Sequence, residues 1–286
     1  MKRSDRFRTK SNGESLFASS LPGLRKLVAE TRSVYKMAGL RTSILFGCRA
    51  LIKFRQVASD RSLTCVDWGM ANRRYRIRCH GTTFEIDGAW FGVAREIYGR
   101  QTYFAPCGFT IREGQTVIDL GANVGLFSLL AARLGARVIA VEAQSEFLPI
   151  LHENLRENDC AVNVIHGLIG ERSGLASLPG KLEASSHYRA KPGIVSLNQI
   201  MARFCLHNID FLKIDIEGSE FDLFSSNLEW LQHTSQIAME VHESFGNPDF
   251  IAEKLAEARF KVQLCDAQLK NVNSLKGLNG FVYAWR

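Results

Sequence analysis

A short motif that combines an acid with two glycines is the part of this sequence best suited to chemistry. The apolar run that begins at Val117 leads through Asp119 into Gly121, and Gly125 follows four residues later. A strand, a glycine turn and a helix in this order form the first unit of a parallel α/β sheet, in which the turn approaches a ligand closely. A dinucleotide-binding turn has the spacing G-x-G-x-x-G and places a pyrophosphate at the helix N-terminus. The G-x-x-x-G spacing found here, with a carboxylate ahead of it, favours a cationic ligand instead.

The charge of that carboxylate selects among nucleotide-like ligands. Asp119 would repel a pyrophosphate, but it would attract the ammonium and sulfonium groups of S-adenosyl-L-methionine by roughly 4 kcal/mol per unit-charge pair at 4 Å in a partly screened site. Glu142 ends the next apolar strand about twenty residues after Gly121, where an acid binds ribose hydroxyls in such folds. Gly167 and Leu168 lie just past the third strand, where we expect the adenine. The predicted cofactor-binding residues are Asp119, Gly121, Asn123, Gly125, Glu142, Gly167 and Leu168.

The elements that position these residues follow a regular alternation. From residue 95 onward, apolar strands alternate with amphipathic helices, and the last two strands have no helix between them. This alternation predicts a doubly wound parallel sheet that ends in a hairpin. The predicted strands are residues 116–120, 137–142, 162–166, 211–215, 236–242, 260–266 and 281–285. Ligands of such sheets bind off the carboxyl ends of the strands, where the winding reverses. With the strand order 3-2-1-4-5, those ends bring these side chains into one row: Asp119, Glu142, Asp215, Glu217, Glu240 and His242.

Four parts of the sequence together resemble the FkbM-type family of S-adenosylmethionine-dependent O-methyltransferases: residues 117–128, Glu142, the run 212–220 that contains K-I-D-I-E-G, and the E-x-H at 240–242. The similarity covers about residues 95–243. The resemblance implies a class I methyltransferase fold with the strand order 3-2-1-4-5-7-6 and an antiparallel last strand. It also implies methyl transfer to a hydroxyl of a sugar, a glycolipid or another small molecule. Residues 1–80 show no pattern of the family, so the acceptor stays open.

Methyl transfer to a hydroxyl requires an in-line approach to the methyl group and a group that manages a proton with a pKa of roughly 16. His242 is the expected base, because its ordinary pKa lies near neutrality, and Glu240 or Asp215 would orient it. Alternatively, these residues and Glu217 hold Mg²⁺ or Mn²⁺, which acidifies the hydroxyl. In a purely structural interpretation, Glu217 caps the next helix and His242 is satisfied at a strand end. The predicted catalytic residues are His242, Asp215 and Glu217, and the candidate metal ligands are Asp215, Glu240 and His242.

Composition and charge restrict the class of protein. The 286 residues are 46% hydrophobic and 23% charged, with a net charge of +7, which is ordinary for a folded domain. Residues 1–80 carry 18 basic against 5 acidic side chains, whereas residues 81–286 carry 18 against 24. Seven dispersed cysteines without a C-x-x-C pair argue against disulfides and zinc. No apolar run is long enough to span a bilayer and no secretory signal follows the basic start, so we expect a cytosolic protein.

The chain divides into three predicted parts: a disordered basic tail (1–20), an N-terminal helical and hairpin extension (21–94), and the methyltransferase domain (95–286). Within the last, residues 171–195 are rich in glycine and proline and form a candidate substrate lid. The extension contains two amphipathic helices with basic faces. We favour their docking on the catalytic domain, because helical periodicity is first a sign of core packing. The alternative is peripheral contact with anionic lipid at the inner face of a membrane.

Three other functions compete with a small-molecule methyltransferase. The basic N-terminus suggests an RNA methyltransferase, but the chain lacks the [DN]-P-P-[YF] loop of amino-methylating enzymes, and an acidic rim would repel phosphates. We therefore expect no nucleic-acid partner. A non-catalytic scaffold at a membrane surface would keep the fold and the cofactor pocket. An NAD-dependent oxidoreductase is disfavoured by the acid ahead of the glycine turn.

Overall fold

The computed structural model describes residues 13–60, 62–170 and 190–286, with side chains from residue 27 onward. Residues 1–12 of the predicted tail and residues 171–189 of the predicted lid lie outside the described residues. The first helix begins at Gly13, inside the predicted tail. Residues 193–195, at the end of the predicted lid, form a short strand.

Eleven strands occur in the described residues, two in a separate hairpin and nine in a central sheet. The hairpin comprises β1 (Arg74–Cys79) and β2 (Thr82–Asp87) and turns at His80-Gly81, as the alternating pattern predicts. The sheet comprises β3 (Thr116–Leu120), β4 (Arg137–Glu142), β5 (Asn163–Ile169), β6 (Gly193–Val195), β7 (Ile209–Ile214), β8 (Thr234–Val241), β9 (Lys261–Asp266), β10 (Asn271–Val272) and β11 (Gly280–Trp285).

The sheet has the order β10-β9-β11-β8-β7-β3-β4-β5-β6. Strands β3 to β8 pair in parallel, whereas β11 lies antiparallel between β8 and β9. With β3 counted as the first strand, this is the predicted order 3-2-1-4-5-7-6 with an antiparallel last strand. The fold class is therefore confirmed. The short edge strands β6 and β10 extend the sheet beyond that prediction.

Nine α-helices connect and flank the strands in the described residues: α1 (Gly13–Ile52), α2 (Phe54–Asp60), α3 (Thr64–Trp68), α4 (Phe91–Ala94), α5 (Leu126–Arg133), α6 (Leu148–Glu157), α7 (Leu197–Arg203), α8 (Glu220–Ser225) and α9 (Pro248–Glu257). Gly39 interrupts α1 with a φ of 79°, a conformation that glycine adopts without steric cost. The predicted pair of N-terminal helices is thus one long element with a kink at Gly39. Among the described residues, no helix combines the length and apolar composition needed to cross a bilayer.

Apolar side chains cover both faces of the central sheet. Successive residues of a strand point to opposite faces, so that Phe211 joins one cluster and Leu212 the other. The cluster around Phe211 continues into the N-terminal helices through Met37 and Phe46, and both are buried. One face of α1 is therefore packed against the rest of the protein.

Arg95 joins the N-terminal helices to the segment that leads into the sheet. Its guanidinium donates to Glu30 Oε2 at 2.5 Å and to both carboxylate oxygens of Asp67 at 3.1 and 2.8 Å. All three side chains are nearly buried. Planar bidentate pairing of this kind fixes the geometry of the contact as well as pairing the charges. The contacts of Arg95 therefore hold α1 and α3 in a defined position relative to the segment that leads into the sheet.

Candidate active site

The carboxyl ends of β3, β4, β5 and β7 meet around one cleft. The cleft, including its open mouth, encloses about 610 Å³ of space that protein atoms do not fill. Its lining residues are Gly121, Asn123, Val141, Glu142, Ala143, Gln144, Phe147, Gly167, Leu168, Ile169, Asp215, Ile216 and Glu217. Of the predicted cofactor-binding residues, Gly121, Asn123, Glu142, Gly167 and Leu168 lie in this lining, whereas Asp119 and Gly125 do not.

Glu142 stands at the end of β4 with a fixed carboxylate. Its Oε2 accepts a hydrogen bond from the backbone N–H of Asn123 at 2.6 Å, and its Oε1 accepts one from the N–H of Gln144 at 2.7 Å. Burial raises the pKa of Glu142, and the two backbone donors oppose that shift. A carboxylate oxygen has two acceptor positions, so each oxygen keeps one for a ligand hydroxyl. This geometry suits the predicted contact with a ribose.

Asp119 has a different environment from the one we predicted. Its side chain is completely buried, and Oδ2 accepts a hydrogen bond from Ser128 Oγ at 2.7 Å. The Lys213 ammonium lies 3.0 Å from Oδ1. The negative charge is therefore compensated inside the protein and does not face the cleft. The expected direct attraction between Asp119 and a cationic ligand is corrected accordingly, and the carboxylates that do face the cleft are those of Glu142, Asp215 and Glu217.

Lys213 connects β7 to the glycine turn. Its Nζ donates to the carbonyl oxygen of Gly121 at 2.6 Å and lies 3.9 Å from Asp215 Oδ2. Burial by itself lowers the pKa of Lys213, but the neighbouring carboxylates of Asp119 and Asp215 outweigh burial and raise it. The ammonium thus stays charged and holds the floor of the cleft together.

The two glycines of the motif adopt a positive φ and lie too close to neighbouring atoms for a side chain. Gly121 has a φ of 76°, and a Cβ built there would lie 1.7 Å from the carbonyl oxygen of Asp215. Gly125 has a φ of 80° at the start of α5, where a Cβ would lie 2.8 Å from Leu151 Cγ. The first glycine lets the turn cross the end of β7 beside the cleft. The second allows α6 to pack against α5, which places it behind the cleft rather than in it.

Asp215 follows β7 and lines the cleft next to the glycine turn. Tyr103 donates its hydroxyl to Asp215 Oδ2 at 3.1 Å. The Tyr103 ring is buried, and burial raises the pKa of its phenol well above the ordinary value, so the phenol remains a donor.

His242 lies between two glutamates at the end of β8. Its Nδ1 is 3.0 Å from Oε1 of the fully buried Glu220, and its Nε2 is 3.5 Å from Oε2 of Glu217. Burial lowers the pKa of His242, but the hydrogen bond and charge of Glu220 and the charge of Glu217 outweigh it and raise the pKa to about 9. The imidazole is therefore protonated at neutral pH. The raised pKa disfavours His242 as the base at neutral pH, because a protonated imidazole cannot accept a proton.

A possible metal-ligand set also occurs in the described residues. Ligand atoms of Asp215, Glu217 and His242 all lie within 4.8 Å of one another. Glu240, a predicted ligand, is not part of this set. Burial and the charge of Asp215 raise the pKa of Glu240. Of the four residues that the sequence offered as ligands, Asp215, Glu217 and His242 lie together and Glu240 lies outside their group.

Sequence reasoning missed the residues that support the site from below. Lys213 and Glu220 belong to the run 212–220. The available signal was their position, because Lys213 lies inside an apolar strand and Glu220 at the start of a helix, and both are buried. Tyr103 lies 112 residues before its partner Asp215, and no spacing in the sequence points to that contact.

Comparison with known proteins assigns the chain to a family. The Methyltransferase FkbM domain matches residues 119–268, which is more than half of the chain. The ribosomal protein L11 methyltransferase of Thermotoga maritima is 40% identical over 55 residues, which are 19% of this chain and 21% of that protein. The chain therefore matches only about a fifth of the length of this relative. The protein N-terminal and lysine N-methyltransferase EFM7 of Gibberella zeae is 24% identical over 190 residues, 60% of this chain and 71% of that protein.

Among solved structures, a putative methyltransferase from Streptococcus mutans in complex with SAH has a TM-score of 0.40 and 13% identity, over 61% of this chain and 90% of that chain. The family assignment depends on the domain match, and the sheet order and the glycine turn agree with it. The chain belongs to the FkbM methyltransferase family.

Proposed function

We propose that the protein transfers a methyl group from S-adenosylmethionine to a hydroxyl of a small-molecule, sugar or glycolipid acceptor. One observation carries this proposal: the cleft has a fixed carboxylate at one end, Glu142, and two carboxylates at the other, Asp215 and Glu217. The first suits the ribose of a cofactor. The other two are carboxylates that would accept the proton of a reacting hydroxyl.

The cofactor half of the cleft fits S-adenosylmethionine. Glu142 would accept hydrogen bonds from the ribose hydroxyls, and Gly167 and Leu168 would contact the adenine. Gly121 has no side chain, so the glycine turn would leave room for the amino-acid part of the cofactor. The acids that line the cleft favour its positive charges. When bound, the cofactor supplies an electrophilic methyl group on a sulfonium.

Calorimetric titration tests this half without knowledge of the acceptor. We expect S-adenosylhomocysteine to bind with micromolar affinity, on the order of −8 kcal/mol, and NAD not to bind, because its pyrophosphate would meet the same acids. Binding of NAD in place of S-adenosylhomocysteine would overturn the proposal.

The acceptor half of the cleft provides proton acceptors other than His242. Asp215 lines the cleft, and Tyr103 holds its carboxylate in position through a hydrogen bond to Oδ2. Glu217 lines the same cleft, and burial raises the pKa of its carboxyl, which makes it a stronger base than an ordinary glutamate. We assign proton acceptance to Asp215, with Glu217 as the adjacent carboxylate. The His242 imidazolium keeps Glu217 ionised.

A divalent cation is an alternative way to activate the hydroxyl. Asp215, Glu217 and His242 would form a donor set for Mg²⁺ or Mn²⁺ once the imidazolium has released its proton to solvent. Glu220 would then orient the imidazole as carboxylates do for metal-bound histidines. When bound, the ion would acidify the acceptor hydroxyl. Turnover that survives exhaustive EDTA treatment would dismiss the metal and leave Asp215 as the base.

A second candidate is methylation of an amine. Asp215 and Glu217 line the cleft, and burial together with the charge of Asp215 raises the pKa of two further acids, Glu96 and Glu240. Such a group would attract a cationic amine as well as the cofactor, and EFM7 is named as an N-methyltransferase. A phosphate-rich RNA acceptor is less compatible with these acids.

The product of the reaction distinguishes these acceptors. Extracts from a strain that lacks the protein would be incubated with the enzyme and S-adenosylmethionine carrying a ¹³C methyl group. The carbon chemical shift of the transferred methyl shows whether it is bound to oxygen or nitrogen. A methyl group on oxygen supports the main proposal, and one on nitrogen overturns it in favour of the amine.

A further inference from the structure

The C-terminal half of α1 has two apolar faces, and only one of them is packed. Phe46 and Ala50 are buried against the rest of the protein. The other face carries large apolar side chains that are mostly exposed: Leu40 (62%), Ile44 (56%), Leu51 (64%) and Ile52 (81%). Exposed Cys48 lies among them. We call this set, Leu40, Ile44, Cys48, Leu51 and Ile52, the outer stripe.

Helical geometry explains why these residues form a continuous strip. Positions 40, 44, 48 and 51 are separated by four, four and three residues, so they follow one line along the helix. Positions 46 and 50 fall on the opposite side. The outer stripe therefore faces away from the core over about three turns, and a soluble helix normally places polar residues there.

Cations surround the outer stripe. Arg41 lies next to its first residue, and Lys53 and Arg55 follow its last residue; all three are exposed. No acidic residue occurs between Glu30 and Asp60, and Glu30 is paired with Arg95. Residues 1–80 carry most of the positive charge of the chain. An apolar strip with a basic border is the pattern of a helix that lies in a membrane interface.

We propose that the outer stripe docks on an anionic membrane surface, with its apolar side chains in the headgroup boundary and Arg41, Lys53 and Arg55 on the lipid phosphates. A second copy of the chain suits this face less well. A symmetric dimer through the outer stripe would bring the same cations of two protomers together, and like charges repel. Docking leaves the buried face of α1 unchanged, so the catalytic part keeps its position at the membrane.

Vesicle co-sedimentation of the full chain tests the proposal. We expect binding to vesicles of phosphatidylcholine mixed with phosphatidylglycerol, weak or absent binding to phosphatidylcholine alone, and loss of binding as salt is added. The double variant Ile44→Glu, Leu51→Glu should abolish binding. The variant Arg41→Gln, Lys53→Gln should weaken binding about 25-fold, about fivefold for each cation removed. Leu278→Glu changes an exposed apolar residue elsewhere and serves as the matched control.

Two results would overturn the proposal. One is that the unchanged protein does not bind the anionic vesicles, or that Ile44→Glu, Leu51→Glu binds them equally well. The other is that light scattering detects a dimer of the unchanged protein, that the double variant is a monomer, and that neither binds vesicles. This result would assign the outer stripe to contact with a second copy of the chain. Titration with S-adenosylhomocysteine confirms that each variant is folded, because these residues do not line the cleft.

Discussion

Lys213 and Asp119 are register partners on adjacent parallel strands, and their side chains form a buried ion pair with a separation of 3.0 Å. The same ammonium donates to the carbonyl of Gly121. The motif acid therefore acts through Lys213, and together they hold the glycine turn against the end of β7. The cleft depends on this pair although neither side chain lines it.

Lys213→Met should destabilise the protein strongly. The change leaves Asp119 buried without its counter-charge, which typically costs about 3–5 kcal/mol. Urea unfolding measures the free energy. Combining Lys213→Met with Asp119→Asn should recover part of the loss, because the unpaired charge is then removed. Equal stabilities of the single variant and the unchanged protein would contradict a buried ion pair.

Two glycine substitutions separate steric contact from backbone strain. Gly121 and Gly114 both have a positive φ, but a Cβ at Gly114 has nothing within 4 Å, whereas one at Gly121 meets the Asp215 backbone at 1.7 Å. Gly114→Ala should cost about 1–2 kcal/mol from strain alone and leave cofactor binding unchanged. Gly121→Ala should abolish S-adenosylhomocysteine binding in calorimetry. Similar binding by both variants would show that the turn does not depend on this contact.

Glu142→Gln tests the predicted ribose contact. The amide retains the shape, but it replaces one acceptor with a donor that faces an N–H of Asn123 or Gln144. Loss of a charged hydrogen bond, about 1.5–3 kcal/mol, should weaken S-adenosylhomocysteine binding about 10- to 100-fold. Glu153→Gln, on the exposed side of α6, is the control. Unchanged affinity in Glu142→Gln would remove the residue from the cofactor site.

Asp215→Asn tests proton acceptance. We expect turnover to fall by about 10²- to 10⁴-fold while the affinity for S-adenosylhomocysteine changes little, since the amide keeps the bond from Tyr103. Asp215→Glu should recover part of the turnover. A loss of affinity without a loss of turnover would instead make Asp215 a binding residue. The measurement awaits an acceptor identified by the ¹³C experiment.

His242 should make stability depend on pH. Its pKa is about 9 in the folded chain against an ordinary value of 6.5, so the fold favours the protonated form. Its contribution is complete below pH 6.5 and is lost as the pH rises through 9. The stability difference between the unchanged protein and His242→Gln should therefore decrease over this interval, by at most on the order of 3 kcal/mol.

The pH dependence of turnover shows whether His242 is the base in the reaction. If it were the base, turnover would rise up to a pH of about 9. We expect no such rise, because proton acceptance lies with Asp215. His207→Gln, a change at an exposed histidine, is the control for both measurements.

The sequence by itself determined the fold class, the order of the sheet and the edge at which the cleft forms. Residues 116–120 and 137–142 are strands at the predicted bounds. Hydrophobic periodicity and glycine turns are local properties, and parallel connections allow few topologies. The carboxyl ends of the strands then follow from the sheet order, so that Glu142, Gly167 and Asp215 were correctly expected along one cleft.

Only the tertiary structure decided which charges meet. Asp119 was predicted to face a ligand but is paired with Lys213. His242 was predicted to be the base, and the tertiary structure places it between Glu217 and Glu220, whose charges raise its pKa. Burial, partners and pKa depend on side chains that are distant in sequence. The outer face of α1 is a similar case, since periodicity shows that a helix is apolar but not which of two apolar faces is covered.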